Sequence, residues 1–269
     1  MATAVFVHAH PDDEAIATGG TMVLAAKAGH RVVLVCATDG AVGEADPVHI
    51  PEGETLADVR RRETEAAAAV LGVDRLVFLG YRDSGMQGES TNDDPRCFWQ
   101  ADVDEAAQKL ADILRDEKAD VLTIYDAIGG YHHPDHVQVH QVGIRAAALV
   151  DGVEVFESTM HRERMAALVA DPAWGDGDDD QREQQRAEFA ELELGTPAAE
   201  ITHAVDVSSV VDIKRQAMAA HRSQIGEDSM FLTLPNDRFT AAFGTEWYVH
   251  RGSHVPGEPY RTDLFVGSE

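Results

Sequence analysis

The chain has 269 residues, enough for one large domain with a buried core, and its 44% hydrophobic and 26% charged residues suit a folded globular protein. Acidic residues number 48 against 22 basic ones, of which four are lysines, for a formal charge of −26. That charge repels phosphate backbones and anionic membranes, which argues against nucleic acid or a membrane surface as partner. No apolar run reaches the roughly 18 residues that span a bilayer, and Cys36 and Cys97 make neither a disulfide framework nor a CxxC site. Met1 leads directly into a strand-like run with no signal-like segment, so a reduced, cytoplasmic protein is expected. Acidic, lysine-poor surfaces also suit high salt; an ordinary acidic surface is the simpler reading.

In chain order, Ala4–His8 reads as a buried strand, Glu14–Ala28 as a helix stopped by Gly29, and Arg31–Thr38 as a second strand. A polar loop, Gly40–Glu54, precedes an alanine-rich helix over Leu56–Leu71, ended by Gly72. Arg75–Leu79 is a third strand and Tyr81–Gln100 a long loop. Asp102–Lys118 patterns as an amphipathic helix, Asp120–Tyr125 as a fourth strand, Pro134–Leu149 as a helix with proline in its first turn, and Val153–Ser158 as a strand. The last third is less regular: an acidic stretch, Asp176–Glu193, read as solvated loop and helix or as a lid; a strand over Ile201–Val205; a helix over Ser208–Gln224; and an edge strand over Trp247–Arg251.

Short apolar strands alternating with helices predict an α/β, Rossmann-like domain, its mostly parallel sheet covered on both faces. No linker divides the chain, so 1–269 is expected to be one domain, with a core over 1–150 completed by 151–269. Ligands of such sheets bind at the carboxyl ends of the strands. His10, Asp39, Tyr81-Arg82-Asp83 and Tyr131–His136 follow successive strands, so four polar loops converge on one rim.

Two motifs stand at that rim: His10-Pro11-Asp12-Asp13-Glu14 and Gly129-Gly130-Tyr131-His132-His133-Pro134-Asp135-His136. His10 and Asp13, spaced H-x-x-D across a strand-to-helix turn, can reach one point above the sheet, and His136 can supply a third metal ligand, leaving a position for water. Two histidines and a carboxylate also match non-haem iron sites, but the chain lacks the run of short strands of a β-sandwich housing. His136 and His140 could form a helical pair, though the glutamate of H-E-x-x-H is missing, so His140 is read as structural or as a support behind a ligand. Ser84 lies outside any G-x-S-x-G elbow, neither cysteine has an adjacent histidine, and the glycine pairs make no G-x-G-x-x-G.

Both motifs resemble the signatures of the PIG-L/LmbE-like family of metal-dependent N-deacetylases. The likeness runs over roughly residues 4–150 and resumes at Lys214–Gln224, where Lys214, His221 and Gln224 resemble a C-terminal family motif. Arg82-Asp83-Ser84-Gly85-Met86 and Gly129-Gly130-Tyr131 look most like the branch holding N-acetylglucosaminyl-inositol deacetylases and mycothiol S-conjugate amidases. The resemblance implies zinc, with iron(II) as an alternative, on His10, Asp13 and His136. It implies Asp12 as general base, His133 oriented by Asp135 as general acid or electrostatic stabiliser, Tyr131 at the oxyanion, and Arg60, Asp83 and Met86 on a sugar-like substrate. His132 departs from the family pattern and could crowd the site or compete with His133.

The expected reaction is hydrolysis of an N-acyl amide, foremost the acetamide of an amino sugar or N-acetylglucosaminyl glycoside, by metal-activated water. The alternatives are an S-conjugate amidase with a larger pocket and a non-catalytic metal-binding protein. A homo-oligomer is left open.

Overall fold

The computed structural model describes residues 1–170, 191–250 and 259–265. Most of the acidic stretch read as a lid lies outside them, as does Arg251.

Seven strands form one sheet: β1 (Thr3–His8), β2 (Arg31–Thr38), β3 (Arg75–Tyr81), β4 (Val121–Tyr125), β5 (Glu154–Thr159), β6 (His203–Asp206) and β7 (Thr245–His250). Their order is β3-β2-β1-β4-β5-β7-β6. The first five pair in parallel, and β7 runs antiparallel to both β5 and β6. The strand order reverses between β1 and β4, and the crevice at such a switch point is where ligands of this architecture bind.

The strands are apolar on both faces because both are covered. Along β1 and β2, Ala4, Phe6, Val32 and Leu34 enter one core with α1 (Asp13–Ala17), α2 (Gly19–Lys27), α3 (Leu56–Leu71) and later α7 (Val211–Met218). Val5, Val7, Val33 and Val35 enter the other, with α4 (Val103–Glu117) and α5 (Pro134–Ala147). Local chemistry sets the helix ends. Thr55 and Asp58 close a capping box on α3, which stops at Gly72 in the left-handed region (φ 79°). The Asp102 carboxylate caps α4.

Three expectations need correction. The helix expected over 14–28 breaks at Thr18 into α1 and α2, because the buried Glu246 carboxylate accepts the backbone N–H groups of Gly20 and Thr21, both at 2.8 Å, and so caps a second N-terminus. The helix expected over 208–224 is a 3-10 turn, Ser208–Val210, then α7, which ends at Met218; the segment beyond turns inward to bring His221 and Ser223 to Glu14 and Glu63. β7 is an interior strand, with β6 at the edge. The remaining described α-helices are α6 (Arg162–Ala170), the single turn α8 (Met230–Thr233) and α9 (Asn236–Phe243). No helix among the described residues is long and apolar enough to cross a membrane.

Candidate metal centre and active site

β1 ends at His8, and the chain turns over Pro11 so that Asp12 becomes the N-cap of α1. Asp12 holds φ 117°, a conformation costly for a residue with a side chain. Its backbone N–H donates to Glu14 Oε2 at 2.9 Å, and His221 Nε2 lies 2.6 Å from the other Glu14 oxygen. This buried pair fixes the turn and sends Asp12 and Asp13 in different directions.

Asp13 Oδ2 lies 3.3 Å from His10 Nδ1 and 3.2 Å from His136 Nε2. A tetrahedral ion with bonds of about 2.0–2.1 Å spaces its ligand atoms by about 3.3 Å, the spacing of Asp13 from each of the two imidazoles, while His10, His133 and His136 also bring ligand atoms within 4.8 Å of one another. Burial opposes ionisation of Asp13, but His136 and His10 outweigh it and hold the carboxyl well below its ordinary range. Burial likewise opposes a charged His10, yet Asp13, Asp135 and Asp83 raise it well above the ordinary histidine value. A pocket that holds this much positive charge between carboxylates suits a cation.

The supports of these side chains are equally specific. His10 Nε2 donates to Asp135 Oδ2 at 3.1 Å, with Asp83 Oδ1 at 3.5 Å, which leaves Nδ1 free for a metal. Asp135 is fully buried and also accepts from the Ser84 backbone N–H (2.9 Å) and hydroxyl. The Tyr125 ring stacks on His136 (centroids 4.1 Å apart, planes at 14°), and its hydroxyl pairs with His8 Nδ1 at 2.9 Å. His8 Nε2 in turn meets Thr18 Oγ1 at 2.7 Å.

His133 is the N-cap of α5: its Nδ1 accepts the Asp135 backbone N–H at 3.1 Å, so the proton of the neutral ring sits on Nε2. The orienting group is therefore the Asp135 backbone, while the Asp135 carboxylate serves His10 and Ser84. Burial, then the neighbouring His10 and His136, push the His133 pKa down to about 4, opposite to the rise expected from a partnering carboxylate. His133 also comes within 4.8 Å of ligand atoms on His10 and His136, so it faces the same centre. The Tyr131 hydroxyl lies 3.2 Å from His136 Nε2, at the mouth of the site.

Asp12 has a different partner. Its carboxylate lies 3.3 Å from Arg60 Nη2. Burial raises its pKa to about 7 against the lowering effect of Arg60, with Asp13 adding to the rise. That is the poise of a base that works near neutrality.

The three residues expected on the substrate fare differently. Arg60 is buried and braced on the carbonyls of Gly40 (2.9 Å) and Pro11, where it supports the loop that carries Asp12. Asp83 is buried against His10 and is held low despite its burial, chiefly by the hydrogen bond from His10. Met86 is exposed. His132 adopts φ 68° and turns its Nε2 to the Leu192 carbonyl at 3.1 Å, so it neither crowds the centre nor competes with His133. His140 donates through Nδ1 to the Tyr125 backbone carbonyl at 3.0 Å, a structural place as expected.

Sequence reasoning missed the supporting residues Ser84, His8, Thr18 and Tyr125, and gave Glu14 no role. The signal for Ser84 was its place beside Asp83 in a rim loop; the others carry no spacing that marks them. The Lys214–Gln224 motif proves to be the back of the site: Lys214 Nζ donates to Glu246 at 2.6 Å, His221 meets Glu14, and Gln224 Nε2 donates to the Glu44 carbonyl at 3.2 Å.

A cavity of about 400 Å³ opens beside Asp13, His136 and Tyr131 and runs between α1, α6, α9 and β7.

Residues 5–147 match the family described as PIG-L, GlcNAc-PI de-N-acetylase. The 1D-myo-inositol 2-acetamido-2-deoxy-alpha-D-glucopyranoside deacetylase of Acidothermus cellulolyticus is 40% identical over 98% of this chain and 94% of that protein. The protein of the same name from Salinispora arenicola is 38% identical over 98% and 90%. Among solved structures, the N,N'-diacetylchitobiose deacetylase of Pyrococcus horikoshii has a TM-score of 0.54 at 24% identity over 84% of this chain and 72% of that one. The 4-carboxy-2-hydroxymuconate hydratase of Pseudomonas putida has a TM-score of 0.58 at 19% identity, over 96% and 100%. At these identities the two structures show a common fold, which hosts different chemistries on the same frame.

Proposed function

The chain belongs to the PIG-L family of de-N-acetylases, and on that premise we propose that it removes the N-acetyl group of an N-acetylglucosaminyl glycoside, a 2-acetamido-2-deoxyglucosyl inositol being the foremost candidate. The observation that carries the reading is the division of labour around α1. Asp13 reaches His10 and His136, while Asp12, one residue away, leaves its carboxylate beside Arg60 with a pKa raised to about 7.

We assign His10 Nδ1, Asp13 Oδ2 and His136 Nε2 as the metal ligands, with zinc as the ion, for the donor chemistry and spacing given above. When bound, the ion supplies a water of lowered pKa and polarises the amide carbonyl. Asp12 accepts the proton of the attacking water on its carboxylate. Tyr131 donates its hydroxyl proton as a hydrogen bond to the developing oxyanion, and burial, which keeps its pKa above the ordinary tyrosine value, keeps that proton in place. His133 presents Nε2–H as a neutral donor on the same side, because Nδ1 is occupied by the Asp135 backbone. The proton taken by Asp12 returns to the leaving amine, which must depart protonated. Asp135, Ser84, Tyr125 and His8 hold the imidazoles in line.

The test is release of free amine, detected with fluorescamine, from N-acetylglucosaminyl inositol and from N-acetylated amino sugars by protein of known zinc content. Turnover of the glycoside above the free sugars supports the assignment; turnover of an S-conjugate amide in its place would move it to the amidase class.

A further inference from the structure

The loop that leaves β4, Asp126–His132, carries Tyr131 to the mouth of the site and belongs to no helix or strand. Gly129 (φ 66°), Gly130 (φ 74°) and His132 (φ 68°) all lie in the left-handed region, which is costly for a histidine. The fit against α5 is close: a Cβ added at Gly129 would lie 2.5 Å from the His136 Cβ. A backbone of this shape needs a group that imposes it.

The buried carboxylate of Asp126 is that group. Its Oδ1 accepts the backbone N–H groups of Ile128 at 3.2 Å and Gly130 at 2.8 Å. Its Oδ2 accepts the Thr159 hydroxyl at 2.5 Å, with the Thr196 hydroxyl at 3.4 Å. Two donors come from the loop, one from the end of β5 and one from the stretch before β6, so one side chain joins all three. The Gly130 carbonyl accepts the Gly195 N–H at 2.9 Å, which ties the loop to that stretch a second time. His133 and His136 belong instead to α5, whose first turn His133 caps. Asp126 therefore shapes the part of the site that α5 does not hold, and that part carries Tyr131.

We propose that Asp126 is a positioning residue for the reaction: it sets the loop so that the Tyr131 hydroxyl meets the developing oxyanion, and it acts on catalysis through that hydroxyl. The proposal rests on the hydrolase reading above. A donor moved out of line costs about 10²-fold in kcat, because the transition state loses it while the substrate still binds. Asparagine can keep most of the arrangement. Its oxygen can face the two N–H groups and its NH₂ the threonine oxygens, since a hydroxyl both donates and accepts. Alanine leaves the two backbone N–H groups without their acceptor.

The experiment measures kcat and KM for N-acetylglucosaminyl inositol, and zinc affinity by chelator competition, on the zinc-loaded enzyme. The variants are Asp126→Ala, Asp126→Asn, Thr159→Val and Tyr131→Phe, with Asp126→Ala and Thr159→Val each also combined with Tyr131→Phe. Asp126→Ala should lower kcat about 10²-fold while KM and zinc affinity stay within about threefold of the wild type. Asp126→Asn should recover kcat to within about tenfold of the wild type, and Asp126→Ala should add less than about threefold once the tyrosine hydroxyl is gone. A kcat for Asp126→Ala within about threefold of the wild type overturns the proposal. So does a loss that persists undiminished beside Tyr131→Phe, or a fall in zinc affinity of more than about tenfold, either of which a merely structural role would produce. If Asp126→Ala does not fold, Thr159→Val decides: a kcat loss that disappears in the Tyr131→Phe background supports the role, and an unchanged kcat or a persisting loss overturns it. Absence of turnover by the wild type overturns the hydrolase reading as well, whereas normal turnover by Asp126→Ala overturns the positioning role alone.

Discussion

Replacing Asp12 with asparagine removes a charge and a base while keeping the shape of the side chain. The Asp13, His10 and His136 cluster is untouched, so metal content measured by mass spectrometry should equal that of the wild type. Loss of a positioned general base costs about 10²–10⁴ in kcat. In the wild-type enzyme kcat/KM should fall about tenfold per pH unit on the acid side of the Asp12 pKa, since Asp12 must be ionised to act. That acid limb should vanish in the variant's residual rate. Stability moves the other way. With a folded-state pKa of about 7 against an ordinary 3.8, the native metal-free protein holds a proton that the unfolded chain releases, so stability present at pH 4 is lost as pH rises towards 7. The loss amounts to at most about 4 kcal/mol, at about 1.4 kcal/mol per pH unit, with the lowering effect of Arg60 already included. The asparagine variant has no carboxyl there to titrate and so lacks this dependence. Urea unfolding of the metal-free proteins should show Asp12→Asn gaining on the wild type between pH 5 and pH 8. A variant with kcat/KM within threefold of the wild type would refute the base assignment, and identical pH dependence of stability would refute the burial argument.

His136→Ala should purify with little bound metal and no turnover, as read by elemental analysis beside the amine assay. Ser84→Ala removes the hydroxyl that fixes Asp135 behind His10, and should weaken zinc about 10–100-fold in a chelator competition with no change in fold. Tyr131→Phe should keep its zinc and lose about 10²–10³ in kcat, the usual cost of one oxyanion donor; an unchanged kcat would remove tyrosine from that role. Lys214→Ala strands the buried Glu246 carboxylate and should cost about 3–5 kcal/mol in urea unfolding, whereas Lys214→Met, which refills the volume, should cost less.

Most of the fold was legible because its signals are local. The helix Leu56–Leu71 and its Gly72 stop coincide with expectation, since a capping box and a left-handed glycine act within a few residues of the element they bound. The five parallel strands read as apolar runs because both faces of the sheet are covered. His10, Asp13 and His136 could be grouped from the sequence because the turn after β1 and the helix after β4 each carry them at close spacing, and the strand order sets those two loops side by side.

What the chain carried within short windows, then, was its element order, the rim of polar loops, and the candidate ligands His10, Asp13 and His136. Tertiary structure alone decided which way each side chain faces. It broke the first helix at Thr18 through Glu246, which lies 226 residues beyond Gly20 in the chain but adjacent to it in space. It turned Arg60 inward as a brace, gave the Asp135 carboxylate to His10 and only its backbone to His133, and sent His132 away to Leu192. These outcomes turn on burial and on hydrogen-bond partners far away in sequence. A pattern read along the chain carries no record of either, because desolvation and pairing exist only once the elements are packed.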